Sequence, residues 1–253
     1  MDLGLKGKRA VVTGATRGIG RRIVDLLADE GVHIGLCARD AGEVDEAVAA
    51  LKAKGVNTVG GVVNIRKGDE YKNWLKQAAD ELGGCDIFVP NVSAGGGDEG
   101  EESWHKCFEV DMLGAVRGVE VLMPYLKKSG DGAIVIISST NALEEFAGAW
   151  AYDAMKAALV NYTKKLSLVA AKDRVRVNCV CPGPVYFKGG AWEMIEGAMP
   201  DFFNAAMAKM PRGAMTTPEE VANVVAFLAS PRANAVVGAN VVVDGGFTKG
   251  VRY

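Results

Sequence analysis

Apolar positions along this chain follow two alternating periods. Short, largely β-branched runs at 9–12, 33–37, 56–63, 85–89, 134–137, 175–180 and 241–243 read as strands. Runs of this length with little polar alternation belong to strands buried on both faces. Between the runs, apolar residues recur every three or four positions. Ile23, Val24, Leu26, Leu27 and Ala28 predict a helix that stops at Gly31. Helices are expected at 43–54 and at 69–82, the latter with Trp74, Leu75 and Ala78 on one side. A long helix over 101–128 places Trp104, Phe108, Met112, Val116, Val119 and Met123 for burial. The next runs through Leu159, Tyr162, Leu166 and Val169 to about 171. Thr217, Pro218 and Glu220 predict a capped start for a last helix that ends at Ala229. Residues 186–212 read as irregular and apolar.

Strand and helix alternate throughout, which is the signature of βαβ units. The expected fold is α/β: a single-domain, Rossmann-type, doubly wound parallel sheet of about seven strands with helices on both faces. No linker, repeat or low-complexity stretch divides the chain, so residues 1–253 read as one domain. Ligands of such sheets bind beyond the carboxyl ends of the strands. Each unusual polar or glycine-rich segment follows a strand, at 13–20, 39–40, 90–97, 138–139 and 182–186. That shared location predicts one common site.

Bulk properties narrow the partners. The formal charge of −2 is balanced and no basic patch stands out, so nucleic acid is not an expected partner. No apolar run approaches the ~20 residues of a membrane span, and the N-terminus lacks the apolar core of a secretory signal. The five cysteines are odd in number and include no C-x-x-C pair; they read as small buried hydrophobes in a reducing cytoplasm. His33 and His105 neighbour no ligand cluster, so no metal site is expected.

Two stretches carry chemistry. TGATRGIG, over residues 13–20, lies between the first strand and the first helix. Gly14 allows a tight turn, and Gly18 and Gly20 allow a phosphate to approach the amides of a helix N-terminus, whose dipole favours anions. In that context the loop predicts dinucleotide binding. The second stretch runs from the strand at 134–137 through Ser138 and Ser139 into a helix bearing Tyr152 and Lys156. Tyr152 and Lys156, four apart, share a helix face. In carbonyl reduction the oxygen gains charge, is hydrogen-bonded and is then protonated. Ser139 suits the first task and Tyr152 the second. A free phenol has a pKa of about 10 and a neighbouring ammonium lowers it, which is the natural role of Lys156.

These residues resemble the short-chain dehydrogenase/reductases, and the likeness runs nearly end to end. TGATRGIG is similar to that family's TGxxxGxG fingerprint. Ser139, Tyr152 and Lys156 match its Ser and Tyr-x-x-x-Lys, with thirteen residues from Ser to Tyr. Pro182 and Gly183 match its Pro-Gly, and residues 218–222 and 243–246 match its closing motifs. The resemblance implies hydride transfer between a nicotinamide and a carbonyl carbon, with Lys156 also holding the nicotinamide ribose. It implies that Gly14, Thr16, Arg17, Gly18, Ile19, Gly20, Arg39, Asn64, Asn91, Pro182, Gly183 and Val185, with Tyr152 and Lys156, contact the cofactor. NAD enzymes of this fold carry an acid after the second strand. Here Ala38 and Arg39 stand there, and Arg17 lies in the loop. Two guanidinium groups and no acid suit a 2′-phosphate, so NADP(H) is expected over NAD(H).

Departures from the family pattern are Ser93 for a glycine, Asn64 for an Asp, and Asp111 for an Asn that helps hold a water behind the lysine. Asp111 reads as an isostere of that Asn; pairing directly with Lys156, or joining the proton relay, stays open. Residues 186–212 resemble the family's substrate lid. Their aromatic and methionine content suits a hydrophobic substrate, with Trp150, Phe187 and Trp192 beside Ser139 and Tyr152 as pocket residues. The same side chains would also suit packing on the body or across a subunit interface. The expected activity interconverts a ketone and a secondary alcohol. A 3-oxoacyl-thioester reductase and an NADPH-binding regulator with little turnover are the other readings. Relatives are usually homodimers or homotetramers, and the helices at 101–128 and 149–171 are the expected interface.

Overall fold

The computed structural model describes residues 1–95, 100–146 and 150–251. The expected residues Gly96, Gly97 and Ala149 lie outside these. Seven parallel strands form one sheet in the order β3-β2-β1-β4-β5-β6-β7. They are β1 (Arg9–Thr13), β2 (His33–Ala38), β3 (Thr58–Val62), β4 (Ile87–Val89), β5 (Gly132–Ile137), β6 (Val175–Pro182) and β7 (Asn240–Val243). The order reverses direction between β1 and β4, which opens a crevice at their carboxyl ends.

The strands read as unbroken apolar runs because both faces are covered. Val12, Ile34, Leu36, Val89 and Val135 point to one core and Val11, Cys37, Phe88, Ile134 and Ile136 to the other. The first core is closed by α1 (Gly18–Asp29), α2 (Ala41–Ala53) and α9 (Pro218–Ala229). The second is closed by α3 (Gly68–Glu81), α5 (Leu113–Ser129) and α6 (Trp150–Ala170). Each fully buried Ile, Leu or Val contributes about 1.5–3 kcal/mol, so the two faces together fix the sheet. The last helix begins as expected, with Thr217 and Glu220 forming a reciprocal capping box. At its other end the buried Arg176 donates to the carbonyls of Leu228 and Ser230, at 2.6 and 3.0 Å. A cation at a helix C-terminus is favourable.

Three expectations are corrected. The helix over 101–128 is not continuous: α4 (Glu101–Cys107) passes through a π-helical turn, Phe108–Met112, into α5. The turn changes the phase of the helix. Trp104 and Phe108, expected to be buried, are 39% and 43% exposed in the single chain. Val169 on α6 is likewise exposed rather than packed. Residues 186–212 are not irregular, since they hold α7 (Ala191–Ala198) and α8 (Pro200–Met207).

Candidate active site

The glycine loop leaves β1 and enters α1 with two tight approaches. A Cβ on Gly20 would lie 2.2 Å from the Gly14 carbonyl oxygen and 2.5 Å from Asn91 Nδ2. Gly14 and Gly18 have φ of +64° and +56°, the left-handed region where glycine is at ease. Asn91 pins the turn from below: its Nδ2 donates to the carbonyls of Thr13 and Gly14, at 3.0 and 2.9 Å. Arg17 at the N-cap of α1 makes no side-chain cap. The first amides of the helix, at Gly18, Ile19 and Gly20, therefore have no side-chain partner from the cap and suit an anion. Arg17 and Arg39 are exposed, and neither makes an ion pair among the described residues. The neighbouring Asp40 caps α2, its carboxylate accepting from the Glu43 amide at 2.9 Å. This donor set fits a dinucleotide carrying an extra phosphate.

Other expected cofactor residues are spent locally. Thr16 Oγ1 donates to Glu43 at 2.7 Å. Asn64 lies exposed past the end of β3, and its Oδ1 accepts from the Arg66 amide at 3.1 Å. Pro182 ends β6, the Gly183 amide bonds Val243 across to β7, and Val185 is buried, bridging to Thr216.

Beyond β5 the structure brings Ser139, Tyr152, Lys156 and Asp111 together. Ser138 Oγ donates to the Lys156 carbonyl at 2.8 Å, tying the strand end to α6. Lys156 is buried. Its Nζ lies 5.5 Å from the centre of the Tyr152 ring and donates to the Ile137 carbonyl at 3.1 Å. Asp111 Oδ1 lies 3.0 Å from the same Nζ, and both side chains are sealed from solvent. Asp111 is thus a direct counter-ion of Lys156 and not the water-spaced isostere expected. Its other oxygen accepts from the Ala94 amide at 3.0 Å, linking the segment after β4 to the pair. The carboxylate reaches inward from the π-turn, a feature that recurs at functional sites. Burial pushes the Lys156 ammonium down, but the Asp111 carboxylate beside it outweighs that. The net pKa is above the ordinary value, which keeps the lysine charged.

Two polar residues that sequence reading missed join the site. Ser139 Oγ accepts from the Asn141 amide at 3.2 Å and lies 3.3 Å from Asn141 Oδ1. Asn141 Nδ2 donates to Asp153 Oδ1 at 2.8 Å. Burial raises the Asp153 carboxyl, partly offset by that bond. No periodicity marks either residue; their nearness to Ser139 and Tyr152 is the one signal that would have found them.

The pocket expectations divide. Trp192 joins an aromatic cluster with Phe146, Phe202 and Phe203. Phe187 does not: its ring lies over the glycine loop, 2.5 Å from where a Gly18 Cβ would stand, and packs against the first core. Trp150 is 62% exposed. Beside Phe187 an open groove of about 510 Å³ is lined by Arg17, Tyr186, Lys188 and the start of α9. Among the described residues, no group of three metal-ligating side chains occurs, and no helix is long and apolar enough to cross a membrane.

Comparisons with known proteins agree with this geometry. Residues 14–248 match the family described as enoyl-(acyl carrier protein) reductase. Isoepoxydon dehydrogenase of Aspergillus clavatus is 34% identical over 98% of each chain. Dehydrogenase/reductase SDR family member 4 of Oryctolagus cuniculus is 34% identical over 96% of this chain and 94% of its own. L-Sorbose reductase of Gluconobacter frateurii, solved with NADPH and L-sorbose, is 33% identical, with a TM-score of 0.91 over 99% of this chain and 100% of its own. The chain belongs to the short-chain dehydrogenase/reductase family and is an oxidoreductase acting between alcohols and carbonyl compounds.

Proposed function

We propose that this oxidoreductase is NADP(H)-dependent and interconverts a ketone and a secondary alcohol on a hydrophobic small molecule in the cytoplasm. The observation that carries the reading is the buried Lys156 beneath the Tyr152 ring, anchored to the end of β5 beside Ser139. Arg17 and Arg39, exposed and without an ion pair among the described residues, support the 2′-phosphate, and a relative of known structure was solved with NADPH. The aromatic lid supports a hydrophobic substrate. The exposed Trp104, Phe108 and Val169, on α4, the π-turn and α6, support a homodimer or homotetramer through those helices.

Bound NADP(H) would supply or accept the hydride. The first amides of α1 would hold its pyrophosphate, and Arg17 and Arg39 its 2′-phosphate. Ser139 hydrogen-bonds the substrate oxygen, and Tyr152 passes its hydroxyl proton to that oxygen during reduction. Lys156 has three N–H donors. Ile137 takes one and Asp111 faces another, leaving one for the cofactor ribose. Its charge favours the phenolate left after proton transfer, and Asp111 holds it in place.

The test is NADPH consumption against a panel of ketones and 3-oxoacyl thioesters, with the NADPH-to-NADH affinity ratio measured for the wild type and Arg39→Ala. Ketone turnover and a ratio that falls at least about tenfold in the variant, the loss of one charge-assisted contact, are expected. Preferential thioester turnover favours the acyl reductase. Tight NADPH binding without turnover favours a regulator, and an unchanged ratio overturns the NADP(H) assignment.

A further inference from the structure

We propose that the segment after β7, residues 244–250, is a working wall of the substrate pocket, with Phe247 selecting ketones that carry a ring. This deepens, and rests on, the oxidoreductase reading. The chain past β7 does not leave the body. Asp244, itself buried, accepts from the amides of Gly246 and Thr248, each at 2.8 Å, and from the Thr248 hydroxyl at 2.7 Å. Those bonds fold the segment into a compact turn. Glu144 then takes the amides of Lys249, at 3.1 Å, and Gly250. Glu144 stands five residues after Ser139 and eight before Tyr152. The C-terminal segment is therefore fastened to the stretch that spans the catalytic pair.

Phe247 lies between the two anchors. Its ring meets Phe146 edge to face, with centres 5.5 Å apart at 70°. Phe146 also meets Trp192 of α7 at 6.2 Å and Phe202 of α8 at 5.9 Å. Trp192 and Phe202 lie nearly parallel, 10° apart. Phe146 is thus the ring at which the lid, the C-terminal segment and the catalytic loop meet. Lys209 Nζ stands 6.0 Å from the same ring. These contacts join segments about fifty to a hundred residues apart in the chain, in a place no strand or helix requires.

Clustered rings at these angles offer an aryl or alicyclic body the apolar area and quadrupole contacts that aromatic pairs favour. A small acyclic ketone engages Ser139 and Tyr152 without reaching Phe247. Phe247 therefore contributes to the binding of one substrate class and not to the chemical step.

The test is steady-state kinetics with saturating NADPH on acetophenone and butanone. Phe247→Ala is expected to raise KM for acetophenone about tenfold, the loss of one to two aromatic contacts. KM for butanone, kcat for both and the NADPH dissociation constant stay within about twofold, the scatter of a neutral site. Phe247→Tyr restores the wild-type values, and Glu144→Ala, which cuts the anchor without touching the ring, gives the same selective rise. A rise shared by both ketones, or none with either, overturns the proposal. So does a Glu144→Ala enzyme indistinguishable from wild type. A wild-type enzyme that reduces neither these nor any other ketone overturns the oxidoreductase reading and this selectivity with it, and is recognised before any variant is compared.

Discussion

Replacing Asp111 with alanine strips a buried ammonium of its counter-ion. The Asp111 and Lys156 charges lie 3.0 Å apart and both side chains are sealed from water. At an effective dielectric near 20, that attraction is roughly 5 kcal/mol before desolvation is counted. Removing one partner of a buried pair costs about 3–5 kcal/mol, because the other charge stays behind unpaired. The Ala94 amide also loses its acceptor. For a domain of this size each kcal/mol moves Tm by about 2–4 °C, so Asp111→Ala should melt roughly 6–20 °C below wild type. Circular-dichroism melts of the purified protein read this directly. Asp111→Asn keeps the shape but has one oxygen for the Ala94 amide and Lys156 to share and no charge, so it should melt between Asp111→Ala and wild type and keep or gain ketone reductase activity. The pKa of Lys156 is raised in the folded state. The stability it contributes is therefore complete below the unfolded lysine value of about 10.4 and is lost only as pH rises through the folded value. In Asp111→Ala burial acts on Lys156 without its counter-ion, so the variant should recover stability as pH rises and the gap from wild type should narrow toward alkaline pH. An alanine variant that melts within about 2 °C of wild type would show that Lys156 does not depend on this carboxylate, and would refute the reasoning.

Gly20→Ala should lower NADPH affinity and stability together, because its Cβ would meet the Gly14 carbonyl and the pinned Asn91 amide; isothermal titration and thermal melts should show a stability loss of about 2 kcal/mol or more. Thr217→Ala removes one half of the capping box and should cost about 1 kcal/mol, or roughly 2–4 °C in Tm, with KM values unchanged.

Much of the fold was legible because burial on both sheet faces writes itself as uninterrupted runs such as 134–137, and because Thr217 and Glu220 mark a helix start in local chemistry alone. The glycine loop and the trio Ser139, Tyr152 and Lys156 were legible for a similar reason: each lies within one strand-to-helix passage. What was not legible depends on geometry that spacing does not record. A π-turn alters the phase of a helix without altering its composition, so Trp104 and Phe108 were misplaced by periodicity. Helices α7 and α8 are eight residues each, too short for a period to rise above an apolar background. Phe187, aligned with the substrate by position, turns instead to the glycine loop, where Gly18 leaves room for its ring. Phe247 and Glu144 stand about a hundred residues apart in the chain, and only folding brings their segments together.

The central claim is that Tyr152 moves the proton while the rest of the site holds cofactor and substrate. Tyr152→Phe leaves the ring that packs beside Lys156 and removes only the hydroxyl. Ketone reduction by the NADPH-loaded variant, followed through the loss of reduced-nicotinamide absorbance, should fall by about 10²–10⁴-fold with NADPH affinity unchanged. A variant that reduces the ketone within about threefold of the wild-type rate, far short of the loss expected for a general acid, would contradict the account.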